Sequence, residues 1–459
     1  MQRGCRDWHG TRAALRRGGG RLVPIPEQAL DGLAEFERGG LGFSRGDLLA
    51  GGVGLLIAAN GVPGLSTRGV LEAAVAQAAS APDAPILVSL YLDGGNDGLN
   101  TLVPLGDARY TQLRSRIGVD PATALPLGDA PSFGWHPSLA GLRTLYDAGK
   151  VAVLPAVDYG HPDQSHFNSG GYWRSGIVGP APDRTGWLGR TLDAVGTRDN
   201  PLQGIHVGWG QDPSLNGKHA PVASVSSPSD FGFYIPDVWD EKAFLPTYRR
   251  LSRARAKHPS LAAVRRMYGN TIETHDRLAP LAGEEKPAPP PIAYPDTDLG
   301  KALGNLGRLL GAGFGTRIAT VSSGGFDTHD AQATAHADLL QDLGDSLRAW
   351  QADLDARGLS PRVLTMIWSE FGRRPEDNDS GGTDHGAGGL LLLVGNRANG
   401  GVRSEFPGLT RLDDDENLVV TTDFRSVYAT LLEDWLGVEA ARVLPRVPGG
   451  SHLPLLRAA

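Results

Sequence analysis

Apolar runs recur along the chain, each halted by polar or glycine-rich residues. Residues 86–92 (Ile-Leu-Val-Ser-Leu-Tyr-Leu) stop abruptly at Asp93-Gly94-Gly95-Asn96-Asp97-Gly98, which predicts a buried strand with a polar tip. The runs 151–157, 317–321, 363–368 and 390–394 repeat the pattern. Helical periodicity fills the gaps: 137–148, 298–310 and a long stretch at 331–357, where Leu340, Leu343, Leu347, Trp350 and Leu354 fall at three-and-four spacing and form a core-facing stripe. Thr422-Asp423 predicts the cap of a last helix that turns Phe424, Val427, Tyr428, Leu431, Leu432 and Trp435 inward. Strands alternating with helices predict an α/β fold, a mostly parallel central sheet with helices on both faces.

The periodicity divides the chain. Residues 1–83 read as leader and linker, and 84–459 as the folded domain. Between 196 and 295 the pattern fades, and Glu284-Glu285-Lys286-Pro287-Ala288-Pro289-Pro290-Pro291 is a polyproline-like run, so this stretch is expected to form an inserted cap or lid. In the leader, Ser44-Arg45-Gly46-Asp47 precedes the uncharged stretch 48–59, and small residues follow at Ala76-Gln77-Ala78. The arrangement resembles a twin-arginine signal with Gly46 in the second arginine's place, and implies export to the periplasm, the cell surface or the medium. The stretch falls short of the ~20 residues that span a bilayer, so no transmembrane anchor is expected. A buried Gly/Ala-rich helix is the alternative.

Composition narrows the partners. Lys+Arg total 44 against 51 Asp+Glu, a net charge of −7, and without a long basic run the chain offers no surface for a nucleic acid. Cys5 is the single cysteine, which excludes an intrachain disulfide and a thiolate metal cluster and leaves oxygen and nitrogen as metal donors. The 63 glycines and 33 prolines suit many functional strand-to-loop turns.

Open α/β sheets bind ligands outside the carboxyl ends of their strands. The polar residues that follow the apolar runs are Asp93 with Asn96 and Asp97, then Gly325-Phe326-Asp327-Thr328-His329-Asp330, then Ser369-Glu370-Phe371-Gly372, with Thr383-Asp384-His385-Gly386 shortly beyond. Carboxylates and imidazoles on one rim repel or desolvate each other unless a cation sits among them. Such donors suit divalent zinc, manganese, magnesium or calcium. Taken singly, each motif is equally an ordinary turn, cap or surface pair.

Five segments carry a resemblance: residues 92–100 (Leu-Asp-Gly-Gly-Asn-Asp-Gly-Leu-Asn), Ser165-His166-Phe167 with Trp173, 324–329 (Gly-Gly-Phe-Asp-Thr-His), 369–373 (Ser-Glu-Phe-Gly-Arg) and 382–386 (Gly-Thr-Asp-His-Gly). In order and spacing they resemble an exported bacterial family known as domain of unknown function 1501, grouped with the alkaline phosphatases, sulfatases and metal-dependent phosphomutases. The resemblance spans residues 84–440. It implies an alkaline phosphatase-like fold with a metal site that takes Asp93, Asp327, His329, Glu370 and His385 as ligands and Ser165 as nucleophile. His166 is implied beside the nucleophile, and Asn96, Asp97, Arg373 and Asp384 at the substrate. Phe371 stands where relatives carry a metal histidine, which leaves a second ion one ligand short. A rival alignment places Thr383-Asp384-His385-Gly386 at that motif instead. No Cys-x-Pro-x-Arg segment is present, so a formylglycine sulfatase is not implied.

The implied activity is metal-dependent hydrolysis of phosphate or sulfate esters on a small molecule or glycan. The alternative is an exported binding or assembly protein that keeps the fold without the chemistry. A metal-free serine hydrolase is set aside, since no Gly-x-Ser-x-Gly elbow surrounds Ser165. Trp187 and Trp209 in the loops beyond 179 are open to two readings, stacking on a substrate ring or packing.

Overall fold

Strand β1 (Ile86–Leu92) is buried along its whole length, as an uninterrupted apolar run requires when both faces are covered. A computed structural model of the chain describes residues 84–198, 200–227, 241–254, 291–447 and 452–458, with isolated positions between 265 and 278. The expected signal segment lies outside these residues. Among the described residues no helix is long and apolar enough to cross a membrane.

Among the described residues the main sheet has nine strands, in the order β11 (Gly401–Val402), β5 (Val151–Asp158), β10 (Gly389–Val394), β9 (Val363–Trp368), β1, β8 (Ile318–Ser323), β6 (Gly204–Val207) and β7 (Ala223–Ser224), with β12 (Thr422–Asp423) also on β5. A small separate sheet joins β2 (Leu102–Val103), β3 (Leu125–Pro126) and β4 (Gly134–Trp135). Pairing in the main sheet is parallel except at β10, which runs against both β5 and β9.

Alternation along β1 separates the two faces. Ile86, Val88, Leu90 and Leu92 enter one core with residues of α1 (Ala140–Asp147), α4 (Asp298–Gly311) and α5 (Gln332–Ala356). Leu87 and Tyr91 enter the other with residues of α2 (His166–Ser175), α3 (Trp187–Val195) and α6 (Phe424–Thr430). The fold is therefore α/β, with a mostly parallel sheet and helices on both faces. The apolar stripe predicted on the long helix is buried from Leu340 to Leu354. Each such side chain contributes about 1.5–3 kcal/mol by leaving water.

Two features depart from the sequence pattern. Strands β6 and β7 fall inside the stretch expected to form a cap, yet they extend the main sheet. Both are too short, at four and two residues, to leave a readable period. Strand β5 carries Pro155, which has no N–H for the ladder, and Ala156 follows with φ 57°. The register against β10 slips there, from Gly389↔Val157 to Leu391↔Leu154, the mark of a bulge.

The described residues fall into two compact units, one holding 241–251 and the other the remainder. The described part of the first belongs to the helix Glu241–Arg253. The sheet and the candidate site lie in the second.

Candidate active site

Strands β1, β8, β9 and β5 point their carboxyl ends the same way, and the reversed β10 begins at that edge. Asp93, Asp327, Glu370 and His166 follow the first four, and His385 precedes the fifth. The turn after β1 allows the close approach: Gly94 and Gly95 have φ of 123° and 76°, and a Cβ on Gly94 would stand 2.3 Å from the Asp327 nitrogen. Only glycine fits.

His166, Asp327 and His385 each offer a donor atom within 4.8 Å of the others. His166 Nε2 is 3.4 Å from Asp327 Oδ2, and His385 Nε2 is 3.1 Å from Asp327 Oδ1. His329 joins the edge of this group, with Nε2 3.0 Å from Asp327 Oδ1 and 2.9 Å from His385 Nε2.

The other nitrogen of each ring is occupied. His166 Nδ1 is 2.7 Å from Glu370 Oε1, His385 Nδ1 is 2.9 Å from the Gln164 carbonyl, and His329 Nδ1 is 3.2 Å from Asp384 Oδ1. An Nδ1 hydrogen directed at an oxygen leaves the lone pair on Nε2. Three such lone pairs therefore face one carboxylate. Oxygen-backed imidazoles of this kind are the usual surroundings of a metal ion.

Glu370 sits one step outside that group. It is fully buried and accepts from the Gly94 nitrogen at 3.1 Å, the Gly95 nitrogen at 3.1 Å and Ser369 Oγ at 3.0 Å, as well as from His166. Phe371 packs against the rings of His166 and His385, at 5.0 and 4.5 Å between centroids, as an apolar wall behind the imidazoles.

Arg373 is committed to the scaffold. Its Nε donates to the Gly95 carbonyl at 2.7 Å, one terminal nitrogen to the Thr383 carbonyl at 2.8 Å, and the other to the Gly94 and Phe326 carbonyls and to Asp327 Oδ1 at 2.5 Å. Burial alone would push the Asp327 carboxyl up, but the hydrogen bond and positive charge of Arg373 outweigh it and hold the pKa down to about 2.

The remaining residues singled out from sequence are placed as follows. Asp97 and Asn96, expected at the substrate, are buried and fully engaged. Asp97 caps the short helix Gly98–Thr101, pairs with Arg114 inside the protein and accepts from Gln332. Asn96 bonds Thr101, His336 and Ser369. The donors of Arg373 are likewise all engaged within the protein. Asp384 stays exposed behind His329. Asp93 is exposed, takes a hydrogen bond from Tyr91 at 2.9 Å and stands outside the three-residue group. Ser165 caps α2, its Oγ accepting from the Asn168 nitrogen at 3.4 Å. Trp187 is core, stacked 4.0 Å from Tyr428, whereas Trp209 is 77% exposed.

Sequence reading missed Gln164, whose contribution is a backbone carbonyl aimed by a φ of 58°. Residue type carries no signal for that. Asp158 was missed too: it closes β5 at the same edge, buried, with burial pushing its carboxyl well up despite hydrogen bonds from the Tyr159 and Gly388 nitrogens.

Among solved structures, the chain is similar to the PsFucS1 sulfatase from Pseudoalteromonas sp., at 13% identity over 82% of this chain and 73% of that one, with a TM-score of 0.33. It is also similar to the phosphonate monoester hydrolase of Agrobacterium radiobacter, at 12% identity over 80% and 79% with a TM-score of 0.33, and to that of Silicibacter pomeroyi, at 11% over 80% and 78% with 0.29. Likeness at that level carries no argument about chemistry. No curated protein matches the sequence. Residues 159–443, more than half of the chain and the stretch that holds His166, Asp327, Glu370 and His385, match the family described as "Protein of unknown function (DUF1501)", and the chain belongs to that family.

Proposed function

We propose that the chain is a metal-dependent hydrolase of phosphate or sulfate esters, with His166, Asp327 and His385 as the ligands. The observation that carries this reading is the convergence of Nε2 lone pairs on the Asp327 carboxylate, within 4.8 Å for the three-residue group. Lone pairs and carboxylate oxygens so placed repel unless a cation lies among them. Imidazole donors favour zinc or manganese over magnesium and calcium, which prefer oxygen. A divalent ion here would supply positive charge to an ester oxygen as negative charge builds on it.

The protein's own groups do the rest. Glu370 and the Gln164 carbonyl hold His166 and His385 in the tautomer that presents Nε2. Ser165, which directly precedes His166 at the start of α2, is the nucleophile of this reading. His329, backed by Asp384, stands at the open side, where its Nε2 can hold a proton for the departing group. Asp327 is exposed, so a substrate can reach the group from solvent.

One observation favours a second reading. Arg373 bonds Asp327 at 2.5 Å, so a fixed cation already neutralises part of the site, as a binding or assembly protein without an ion would require. Elemental analysis of the purified chain, with turnover measured on aryl phosphates, phosphodiesters and aryl sulfates, separates the two. Bound zinc or manganese at one or more ions per chain, with turnover abolished in His385→Ala, is the expected result. A metal-free protein whose melting temperature and turnover are indifferent to added ions would overturn the hydrolase reading.

A further inference from the structure

Behind the segment 96–101 lies a cavity of about 170 Å³, whose polar lining comes from Asn100, Asp120, Thr123, His136 and His336. None of its lining residues belongs to the ligand group above. His336, in the second turn of α5, is 1% exposed, with Nε2 2.9 Å from Asn96 Oδ1. The Asn96 amide is oriented by Thr101. That hydroxyl gives its hydrogen to the Asp97 carbonyl at 2.7 Å and accepts from Asn96 Nδ2 at 3.1 Å, which leaves Oδ1 facing the ring. His336 therefore carries its hydrogen on Nε2. That leaves the lone pair on Nδ1, on a ring that lines the cavity.

His136 is the converse. Its Nδ1 accepts from the Ser138 nitrogen at 3.1 Å, so the neutral ring carries its hydrogen on Nε2 and presents a donor. The two rings meet edge to face, 6.3 Å between centroids. Burial pushes both imidazoles below their ordinary pKa, consistent with neutral rings.

Charge and lone pairs decide what fits. Asp120 repels anions, and the nearby Arg114 has its donors committed to Asp97, Asn100 and the Pro375 and Arg374 carbonyls. A metal ion is disfavoured as well, because His136 has spent its lone pair on Ser138. What remains is a donor and an acceptor on two rings that meet edge to face, with an exposed carboxylate among the lining residues, which matches a hydroxyl that gives and takes one hydrogen bond. We propose that this cavity binds a small neutral polyhydroxylated molecule, a polyol or monosaccharide, with one hydroxyl bridging His136 Nε2–H and His336 Nδ1 and another donating to Asp120.

Saturation-transfer NMR on the full chain, with glycerol and with glucose as probes, tests this. His136→Asn keeps the cap, since an asparagine oxygen also accepts the Ser138 N–H, but removes the Nε2 donor. Thr123→Tyr, at an exposed position, fills the cavity from its rim without touching either histidine. At least one probe is expected to bind the wild type on the order of millimolar, about tenfold more weakly in His136→Asn, and not in Thr123→Tyr. Absence of transfer to both probes in the wild type, or binding unchanged in Thr123→Tyr, would overturn the proposal.

Discussion

His166 lies between two carboxylates, with Nδ1 2.7 Å from the buried Glu370 and Nε2 3.4 Å from the exposed Asp327. The first contact decides which nitrogen is left for a ligand. Glu370→Gln, which can turn its amide hydrogens toward the ring, should lower zinc affinity by about 10–100-fold, as loss of an outer partner usually does. Asp93→Asn should change it by less than roughly twofold, because Asp93 stands outside the ligand group. Calorimetric titration of both variants with zinc checks the pair, and a larger loss in Asp93→Asn would return that residue to the ligand set.

Gln164 offers a sharper contrast, because its part is played by the backbone. With φ at 58°, Gln164→Gly adopts the same conformation without strain and should retain zinc affinity. Gln164→Pro is confined to φ near −65°, pulls the carbonyl off His385 Nδ1 and should lose at least tenfold, on the scale of other outer-partner losses. Equal affinities would show that the His385 contact does no orienting.

Arg373 joins the loops after β1, β8 and β9. A lysine in its place could satisfy fewer of these acceptors and none in the same planar geometry, so Arg373→Lys should lower unfolding free energy by about 2–3 kcal/mol, the cost of buried acceptors left unpaired. Urea denaturation with and without chelator measures it. A change below roughly 0.5 kcal/mol, the range of ordinary surface substitutions, would show that the clamp is dispensable.

Burial pushes the His336 pKa down to about 4 against an unfolded value of 6.5, with the Asp97 charge pulling the other way. Between those values the unfolded chain binds the extra proton, so stability falls as pH falls. The contribution is fully present above pH 6.5 and is lost on the way to pH 4. Its size is roughly 3 kcal/mol. His336→Gln can keep a donor to Asn96 and cannot titrate, so its unfolding free energy should drop less between pH 7 and pH 4.5 than the wild type's. Parallel curves would refute the assignment.

Ser165 has a structural duty that must be separated from a chemical one. Ser165→Ala removes a helix cap and should cost about 1 kcal/mol, and if Ser165 is the nucleophile it also abolishes turnover. Ser165→Asp keeps the cap but has no hydroxyl to attack with. Turnover that returns in the aspartate variant would remove Ser165 from the chemistry.

The sheet was legible because its strands are long and apolar on both faces: the runs at 363–368 and 390–394 coincide with β9 and β10 to within one residue. Strands β6 and β7 were not, since two to four residues carry no period. Ligand-type side chains announce themselves at strand ends, hence Asp327 and His385, whereas His166 was expected beside the nucleophile and not among the ligands. Their division into ligands and outer partners does not follow from sequence. Glu370 and Asp93 both close a strand with a carboxylate, and the contacts of the Gly94 and Gly95 nitrogens alone tell them apart. Asp97 and Arg373 are ambiguous in sequence because a buried ion pair and a buried clamp use the same residue types as a substrate site.

Because β10 runs against β9, the chain leaves the sheet and re-enters it at the same edge, and the single connection between them supplies Glu370, Phe371, Arg373, Asp384 and His385. One ligand, an outer partner and the clamp are thus concentrated in one connection, held to the loops after β1 and β8 by Glu370 and Arg373. A change in that connection therefore acts on the candidate ligands and on the packing of two neighbouring loops in one genetic event.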